Sequence, residues 1–174
     1  MAPGHSSSRP VFVIAMASIA VCACVLPTCC TLPHRLFFNP SSSAPRGWYW
    51  LADTQSHELG TFTISNIPRS AAELADDRHY IPRTVPVLKQ LAAAAGDSVC
   101  ESAGNVAING RPVARAVTQD GRGRDLSAWQ GCRVLAPGEY FLLNQNSLQS
   151  FDSRYFGPVN ESMLQGTAIP LWTW

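Results

Sequence analysis

The stretch NVAINGRPVARAV, residues 105–117, places apolar residues in alternation on both sides of Asn109-Gly110. An Asn-Gly pair between two such runs is the strongest short-range signal for a β-hairpin, because both residues tolerate the positive φ angles of a type I′ turn. Outside this hairpin, short apolar runs are separated by 13 prolines and 12 glycines among 174 residues. This punctuation favours strands joined by turns over a helix bundle. We therefore expect a mainly β domain.

Working outward from the hairpin, the same signals predict further elements. Additional strands are expected at 60–67, 84–100 with an interruption at Pro86, 139–144 and 166–174. The residues 70–80, SAAELADDRHY, predict a short helix opened by a capping box between Ser70 and Glu73. No internal repeat and no second soluble domain is indicated, so one domain is expected over 35–174.

The N-terminal apolar run VFVIAMASIAVCACVLPTCCT, residues 11–31, contains no charged residue. About 20 such residues cross a hydrocarbon core, whereas a cleaved secretory signal has a shorter apolar centre. We predict one retained transmembrane helix at 11–31 after a disordered segment at 1–10, with a cleaved signal as the alternative. In both cases the domain that follows is expected outside the cytoplasm.

The six cysteines fall into two groups. Four lie in the apolar run, where they behave as small packing residues: Cys22, Cys24, Cys29 and Cys30. A lipoprotein acylation site at Cys24 or Cys30 is the alternative. Cys100 and Cys132 are the only cysteines of the soluble part, and in an oxidising compartment we expect them to form a disulfide. Two free buried thiols remain the alternative.

Charge and motif content exclude several classes of function. The net charge is +1 with 14% charged residues, so there is no basic surface of the kind that binds a phosphate backbone, and no nucleic-acid partner is expected. The chain has neither an HExxH motif nor paired cysteines at metal-ligand spacing, so we expect no metal and no cofactor. The four histidines lie in the first half, away from any nucleophile motif.

Lys89 is the only lysine among 13 basic residues, and its sequence neighbours are mainly apolar. Burial disfavours an ammonium and lowers its pKa, by up to about 3–5 units when burial is complete. A neutral amine can act as a general base, which an arginine cannot. The alternative is an ordinary surface lysine at the end of a strand.

Two hydroxyl-bearing segments could serve such an amine. SSSAPRGWYW, residues 41–50, follows the apolar run and holds three consecutive serines, which form either a flexible linker or a nucleophile. NSLQSFDSRYFGPV, residues 146–159, contains Ser150, Asp152 and Arg154. Ser150 could orient the lone pair of an amine, while Asp152 and Arg154 could form a charge-assisted pair. A serine-lysine mechanism needs no more than a hydroxyl and a deprotonated amine.

The motifs SAPRGWYW, VLKQLAAAAGDSVC, NGRPV, LSAWQGCRVL, SFDSRYFGPV and PLWTW occur in this order over residues 35–174. In this arrangement the chain resembles the type I signal peptidase family, and most closely its conjugative-transfer branch, TraF. The resemblance implies a signal-peptidase-like β fold reduced to a minimal catalytic core. It also implies a serine-lysine peptidase held by one pass in the bacterial inner membrane, with its catalytic domain in the periplasm.

Roles follow from the resemblance position by position. It implies that Ser43 is the nucleophile, that Lys89 is the general base and that Ser150 positions the lysine. It further implies that Asp152 and Arg154 are structural. Finally, the resemblance implies that Ser41 is a supporting residue, whose hydroxyl would lie in the oxyanion hole beside the Ser43 amide.

The family further implies substrates with small residues of the Ala-x-Ala type before the cleavage site. For the TraF branch it implies a membrane-tethered pilin precursor as the substrate. Attack by the pilin's own amine would then give a cyclic product. The segment 81–88 is the candidate edge for an extended substrate. General signal peptidases carry Met where this chain has Ala44, and Gly-Asp-Asn where it has LNQN. A general signal peptidase, a non-catalytic anchored β-domain scaffolding a secretion apparatus, and a periplasmic lipoprotein remain the alternatives.

Overall fold

A computed structural model describes residues 8–29, 35–53 and 57–174. The chain divides into two units, Met1–His34 and Arg35–Trp174. The first contains helix α1, Ser8–Cys29, so the expectation of disorder at 1–10 is wrong for 8–10, while 1–7 lie outside the described residues. Within the described residues we find no helix that combines the length and apolar character needed to cross a membrane. The transmembrane anchor expected at 11–31 is therefore not confirmed. Its last two residues, 30 and 31, also lie outside the described residues.

The described part of the second unit contains two further α-helices, a 3₁₀ turn and eleven strands. The helices are α2, Arg69–Asp77, and α3, Ser153–Phe156; the 3₁₀ turn is Glu161–Met163. The strands are β1 Leu36–Asn39, β2 Gly47–Ala52, β3 Phe62–Ser65, β4 Val87–Ala93, β5 Ser98–Ser102, β6 Asn105–Ile108, β7 Arg111–Arg115, β8 Gly131–Val134, β9 Glu139–Leu143, β10 Val159–Asn160 and β11 Leu164–Thr173.

These strands form two antiparallel sheets. The larger has the order β1-β2-β11-β3-β4-β9-β10, and the smaller has the order β7-β6-β5-β8. The C-terminal strand β11 is inserted between β2 and β3, so the end of the chain lies inside the large sheet, while the N-terminal strand β1 forms one of its edges. The prediction of a mainly β domain is confirmed.

The hairpin of residues 105–117 forms as predicted. β6 pairs with β7, with Ile108 opposite Arg111. Asn109 and Gly110 have φ angles of 51° and 75°, which are the two positive values that a type I′ turn requires. The local sequence therefore determines this part of the small sheet.

Helix α2 forms, but not with the predicted capping box. It begins at Arg69 after Pro68, and no side chain caps its N-terminus. Ser70 thus lies inside the first turn rather than at the cap. The carboxylate of Glu73 instead accepts a hydrogen bond from Arg69 Nε at 2.8 Å. The N-cap is Pro68, two residues earlier than the serine signal suggested, and its carbonyl accepts the first helical hydrogen bond, from the Ala72 N–H at 2.9 Å.

Three apolar clusters connect the strands. The cluster under the small sheet contains Ala93, Val99, Val106, Leu135, Phe141 and Leu143. Beneath the large sheet lie a cluster of Tyr49, Ile64 and Ala168 and a cluster of Leu91, Leu142 and Val159. Strands β4 and β9 contribute to both regions, so these two strands join the small sheet to the large one and provide a rigid platform for their side chains.

Gly47 marks a close approach of two strands. It opens β2 with φ 138°, and a Cβ atom there would collide with the backbone of Trp172 and Thr173 in β11. Only glycine combines that φ with the absence of a side chain. The start of β2, and with it the serine-rich connection from β1, is therefore fixed against the C-terminal strand.

Cys100 and Cys132 form a disulfide. They lie directly opposite each other on β5 and β8, so the bond attaches the edge strand of the small sheet to its neighbour. The predicted pairing is present, and the alternative of two free thiols is wrong for this structure.

Candidate active site

The three consecutive serines lie in the connection between β1 and β2, which the pairing of Asn39 with Gly47 closes. Ser41 Oγ lies 2.9 Å from Ser43 Oγ. The Ser43 amide donates to Ser41 Oγ at 3.2 Å. Ser41 and Ser42 are exposed, whereas Ser43 is half-buried and Ala44 is buried. The turn therefore directs Ser43, and not Ser42, towards the interior.

The turn is held by two side chains that the sequence reasoning missed. The Asn39 amide accepts from the Ser41 N–H at 3.1 Å and donates to the Ser41 carbonyl at 3.0 Å. Tyr49 donates its hydroxyl to the Pro45 carbonyl at 2.7 Å. Asn39-Pro40 immediately before the serines is a turn signal that could have pointed to the first of these contacts.

Lys89 lies at the centre of β4. Alternate residues of this strand face the interior, and Lys89 occupies the buried row between Val87 and Leu91. Only 5% of Lys89 is exposed. It pairs across the ladder with Thr63 of β3, which is itself fully buried. The alternative of a surface lysine is therefore wrong.

The Lys89 amine meets two hydroxyls. Its Nζ donates to Ser150 Oγ at 2.8 Å and lies 3.4 Å from Ser43 Oγ. These contacts bring together three segments separated by 46 and 61 residues along the chain. The structure thus places the predicted serine, lysine and supporting serine within reach of one another.

Burial dominates the electrostatics of this amine. It lowers the pKa of Lys89 to about 8, with the Asp152 carboxylate raising the pKa and the Arg154 guanidinium lowering it as smaller contributions. Removal from water disfavours the ammonium because its hydration is lost. At pH 7 roughly one molecule in ten would then carry a neutral amine, and the fraction rises with pH.

Asp152 and Arg154 form a fully buried pair. Arg154 donates from Nε and Nη2 to the two carboxylate oxygens, each at 2.8 Å. The same guanidinium donates to the carbonyls of Ser147 at 2.7 Å and Ser150 at 3.1 Å. Because a bidentate guanidinium-carboxylate pair has a fixed geometry, it holds the Ser150 backbone and thereby the hydroxyl that contacts Lys89.

Asn144, in the LNQN segment, is a further residue whose role the sequence did not reveal. Its amide accepts from the Gln90 N–H at 3.3 Å and donates to the Leu88 carbonyl at 3.2 Å. The backbone N–H of Asn144 donates to the Asp152 carboxylate at 3.1 Å. Asn144 therefore links the strand that carries Lys89 to the buried ion pair.

A groove of about 980 Å³ opens onto Ser43, Lys89 and Ser150. One wall of the groove is formed by residues 78–82 and 119–124. Asp120 joins the two segments, because its carboxylate accepts hydrogen bonds from the Tyr80 hydroxyl at 2.5 Å and from Arg124 Nε at 2.7 Å. The pKa of Asp120 is held below its usual range, first by the Tyr80 hydroxyl. Among the described residues, no cluster of three or more His, Cys, Asp or Glu could hold a metal ion.

The candidate substrate edge is shorter than predicted. Only Val87 and Leu88 of the segment 81–88 belong to a strand, and the preceding residues form a turn. β9 pairs with β4 from Gln90 onward, so within the described part of the chain no strand covers the side of β4 opposite β3 at Val87 and Leu88. Pro86 directly precedes β4 and prevents the strand from beginning earlier, because proline has no N–H to donate to a ladder.

One family of known proteins matches nearly the whole chain, and individual relatives match about three quarters of it. The family described as "Signal peptidase, peptidase S26" matches residues 9–173. A plasmid transfer protein TraF of Escherichia coli is 30% identical over 146 residues, which cover 78% of this chain and 82% of that protein. A conjugal transfer protein TraF of Agrobacterium tumefaciens (strain 15955) is 32% identical over 156 residues, which cover 76% of this chain and 87% of that protein.

Among solved structures, a signal peptidase I of Enterococcus faecalis V583 is similar over 66% of this chain and 98% of its own, with a TM-score of 0.41 and 22% identity. The family assignment does not depend on this likeness, because the family match alone spans all but a few terminal residues. The chain belongs to the peptidase S26 family of signal peptidases.

Proposed function

We propose that the protein is a membrane-anchored serine peptidase of a conjugative transfer system, which cleaves a pilin precursor by Ser43-Lys89 acyl-enzyme chemistry. The observation that carries the chemistry is the position of the buried Lys89 amine, 3.4 Å from Ser43 Oγ, with its pKa lowered to about 8. The transfer role is supported by the TraF relatives. The roles proposed for Ser150, Asp152 and Arg154 are supported by their hydrogen bonds around Lys89.

The first step is proton transfer from the nucleophile. Neutral Lys89 accepts the Ser43 hydroxyl proton, and Ser43 Oγ forms a bond to the scissile carbonyl carbon. The Ser150 contact at 2.8 Å restricts the rotation of the amine and so aims its lone pair at Ser43. Asp152 and Arg154 hold Ser150 without contacting the reacting atoms.

The negative charge that develops on the carbonyl oxygen needs hydrogen-bond donors. The Ser43 N–H and the Ser41 hydroxyl are neighbours in the turn, and the N–H donates to Ser41 Oγ. A substrate oxygen would replace Ser41 Oγ as the acceptor of this N–H and would also accept from the Ser41 hydroxyl. Each such donor is commonly worth about 3–4 kcal/mol of transition-state stabilisation.

The tetrahedral intermediate then collapses. The carbon-nitrogen bond breaks, and the Lys89 ammonium returns its proton to the leaving amine. Water, deprotonated by the same amine, hydrolyses the ester and regenerates Ser43. If the attacking group is instead the amine of the same pilin chain, the product is cyclic.

Substrate binding is assigned to the uncovered edge of β4 at Val87 and Leu88. The alternation of an antiparallel ladder turns the Leu88 N–H away from β3, so an extended chain can pair there and pass its scissile bond over Lys89. The family suggests small residues of the Ala-x-Ala type before that bond.

A membrane location is supported by an aromatic surface at the groove. Trp48, Trp50, Trp172 and Trp174, on β2 and at the end of β11, are between 39% and 71% exposed. Phe38, which lines the groove, has its ring 5.1 Å from that of Trp48 and so connects the tryptophans to the groove. Exposed tryptophans favour the membrane-water interface. We propose that this surface lies on the periplasmic face of the inner membrane and that the apolar run 11–31 is the single-pass anchor.

The nucleophile is tested with adjacent serines as matched variants. The purified full chain is assayed on an internally quenched peptide containing Ala-x-Ala and on a membrane-tethered pilin precursor. We expect Ser43→Ala and Lys89→Ala to abolish cleavage of both substrates, and the exposed Ser42→Ala to retain it. Wild-type activity in either of the first two variants would exclude the mechanism.

The biological role requires a different assay. Expression in a strain lacking its transfer peptidase should restore conjugation, whereas expression in a conditional signal peptidase mutant should not restore growth. Growth without conjugation would identify a general signal peptidase. A stable wild-type protein that cleaves neither substrate would favour the non-catalytic anchored β-domain, and an intact mass lacking the residues before Cys24 or Cys30 would identify a lipoprotein.

A further inference from the structure

The Asn39 side chain makes four hydrogen bonds to the backbone of the serine turn. Its Nδ2 lies within hydrogen-bond distance of three carbonyl oxygens, those of Ser41 at 3.0 Å, Ala44 at 3.3 Å and Pro45 at 3.1 Å. Its Oδ1 accepts the Ser41 N–H at 3.1 Å. One side chain thus contacts the backbone on both sides of Ser43.

The orientation of this amide follows from its partners. If oxygen and nitrogen were exchanged, the oxygen would face three carbonyl oxygens and the nitrogen would face an N–H, so every contact would be repulsive. The two N–H groups of the Asn39 amide are shared among three carbonyls, and these hydrogen bonds hold the two sides of the turn together. Asn39 is the last residue of β1 and lies opposite Gly47. Its backbone is therefore held by the β1-β2 pairing, which fixes the position from which the side chain extends.

The turn that Asn39 closes determines where two hydroxyls meet. Ser41 Oγ is close to both Ser43 Oγ and the Ser43 N–H only because the backbone folds back within two residues. Ser41 is exposed, and no hydrogen bond other than those to Asn39 and Ser43 is observed for it among the described residues. Without the amide, Ser41 loses both hydrogen bonds that hold its backbone and keeps only those to Ser43.

We infer that Asn39 is a positioning residue of the reaction, which aligns Ser41 Oγ with the Ser43 N–H as a two-donor site for the substrate carbonyl oxygen. The inference rests on the proposed function, since it concerns the same reaction. Asn39 acts through Ser41 and the turn backbone, so its removal should reduce turnover while leaving the Lys89 base unaltered.

The test is a double-mutant cycle in the full-length protein, with the internally quenched Ala-x-Ala peptide as substrate. Asn39→Ala and Ser41→Ala should each lower kcat by about 10²-fold, the effect of losing one oxyanion donor. The double variant should also lose about 10²-fold rather than 10⁴-fold, because the two residues act as one unit. KM should change by less than about threefold.

Variants of the amide separate positioning from simple packing. Asn39→Asp keeps the acceptor for the Ser41 N–H but puts an oxygen against the carbonyls, so it should be at least as slow as Asn39→Ala. The pH midpoint of kcat should remain near that of wild type in both, because Lys89 is held from the Ser150 side. Wild-type kcat in Asn39→Ala, or a double variant whose loss is the product of the single losses, would overturn the inference.

A readout without catalysis distinguishes failure of this inference from failure of the proposed function. In amide spectra of the full-length protein selectively labelled with ¹⁵N-serine, Asn39→Ala should shift the Ser41 and Ser43 resonances, whereas the control Ser42→Ala should leave the Ser41 resonance nearly in place. Unshifted resonances in Asn39→Ala exclude the positioning role even if the enzyme is active. Cleavage that persists in Ser43→Ala excludes the proposed function, whatever the spectra show.

Discussion

Replacing Lys89 by methionine should stabilise the protein near neutral pH. A pKa of about 8 in the folded chain, against the ordinary value of 10.5, means that burial disfavours the ammonium by about 3 kcal/mol, at about 1.4 kcal/mol for each pH unit. Methionine has a similar length and no charge. It loses the hydrogen bonds to Ser43 and Ser150, which are worth about 1 kcal/mol each. The expected net gain for Lys89→Met at pH 6–7 is about 1 kcal/mol.

The gain should disappear as the pH rises. Between about 8 and 10.5 the unfolded wild-type chain binds one proton more than the folded chain at Lys89, so the wild-type free energy of unfolding increases with pH in this window. Lys89→Met lacks this contribution. The two stabilities should therefore converge above pH 8, and the variant should become the less stable protein near pH 10. The tyrosine contributions are common to both proteins and cancel in the difference.

The measurement is urea unfolding of the full-length protein in detergent at pH 6, 7, 8, 9 and 10, followed by tryptophan fluorescence. All five tryptophans lie in the unit Arg35–Trp174, so the signal reports the unit that contains Lys89. The control is Lys89→Arg, which cannot lose its proton and should be less stable than wild type throughout. A Lys89→Met protein that is less stable than wild type at pH 7, by an amount independent of pH, would refute the reasoning.

Three further predictions concern activity and stability. The kcat of the wild type should rise with pH with a midpoint near 8, because only neutral Lys89 accepts a proton; a flat profile from pH 6 to 9 would contradict this. Gly47→Ala should lower the free energy of unfolding by about 2–5 kcal/mol through backbone strain and the collision with Trp172, and an unchanged urea midpoint would show that β11 can move away. Asp152→Asn should cost about 3–5 kcal/mol, since it leaves the buried Arg154 charge unpaired; thermal unfolding within 2 °C of wild type would be inconsistent with that pair.

The sequence predicted those features that depend on neighbouring residues. Asn109-Gly110 determines the hairpin because the required φ angles are local properties of these two residues. Lys89 stood out because it is the only lysine and lies in an apolar run. Where local signals competed, the prediction was less accurate. The serine signal for α2 was overridden by Pro68, and the substrate edge was shortened at Pro86.

By itself, then, the sequence determined the class of fold and the residues able to carry the chemistry, since both follow from residue type and short spacing. It did not determine that Lys89 is buried, that Ser150 lies 2.8 Å from its amine, or that Asn39 and Asn144 organise the surrounding backbone. Those facts depend on β11 joining β2 to β3 and on Arg154 holding the carbonyls of Ser147 and Ser150. A pKa and a distance arise from desolvation and from contacts between distant segments, which only the tertiary structure decides.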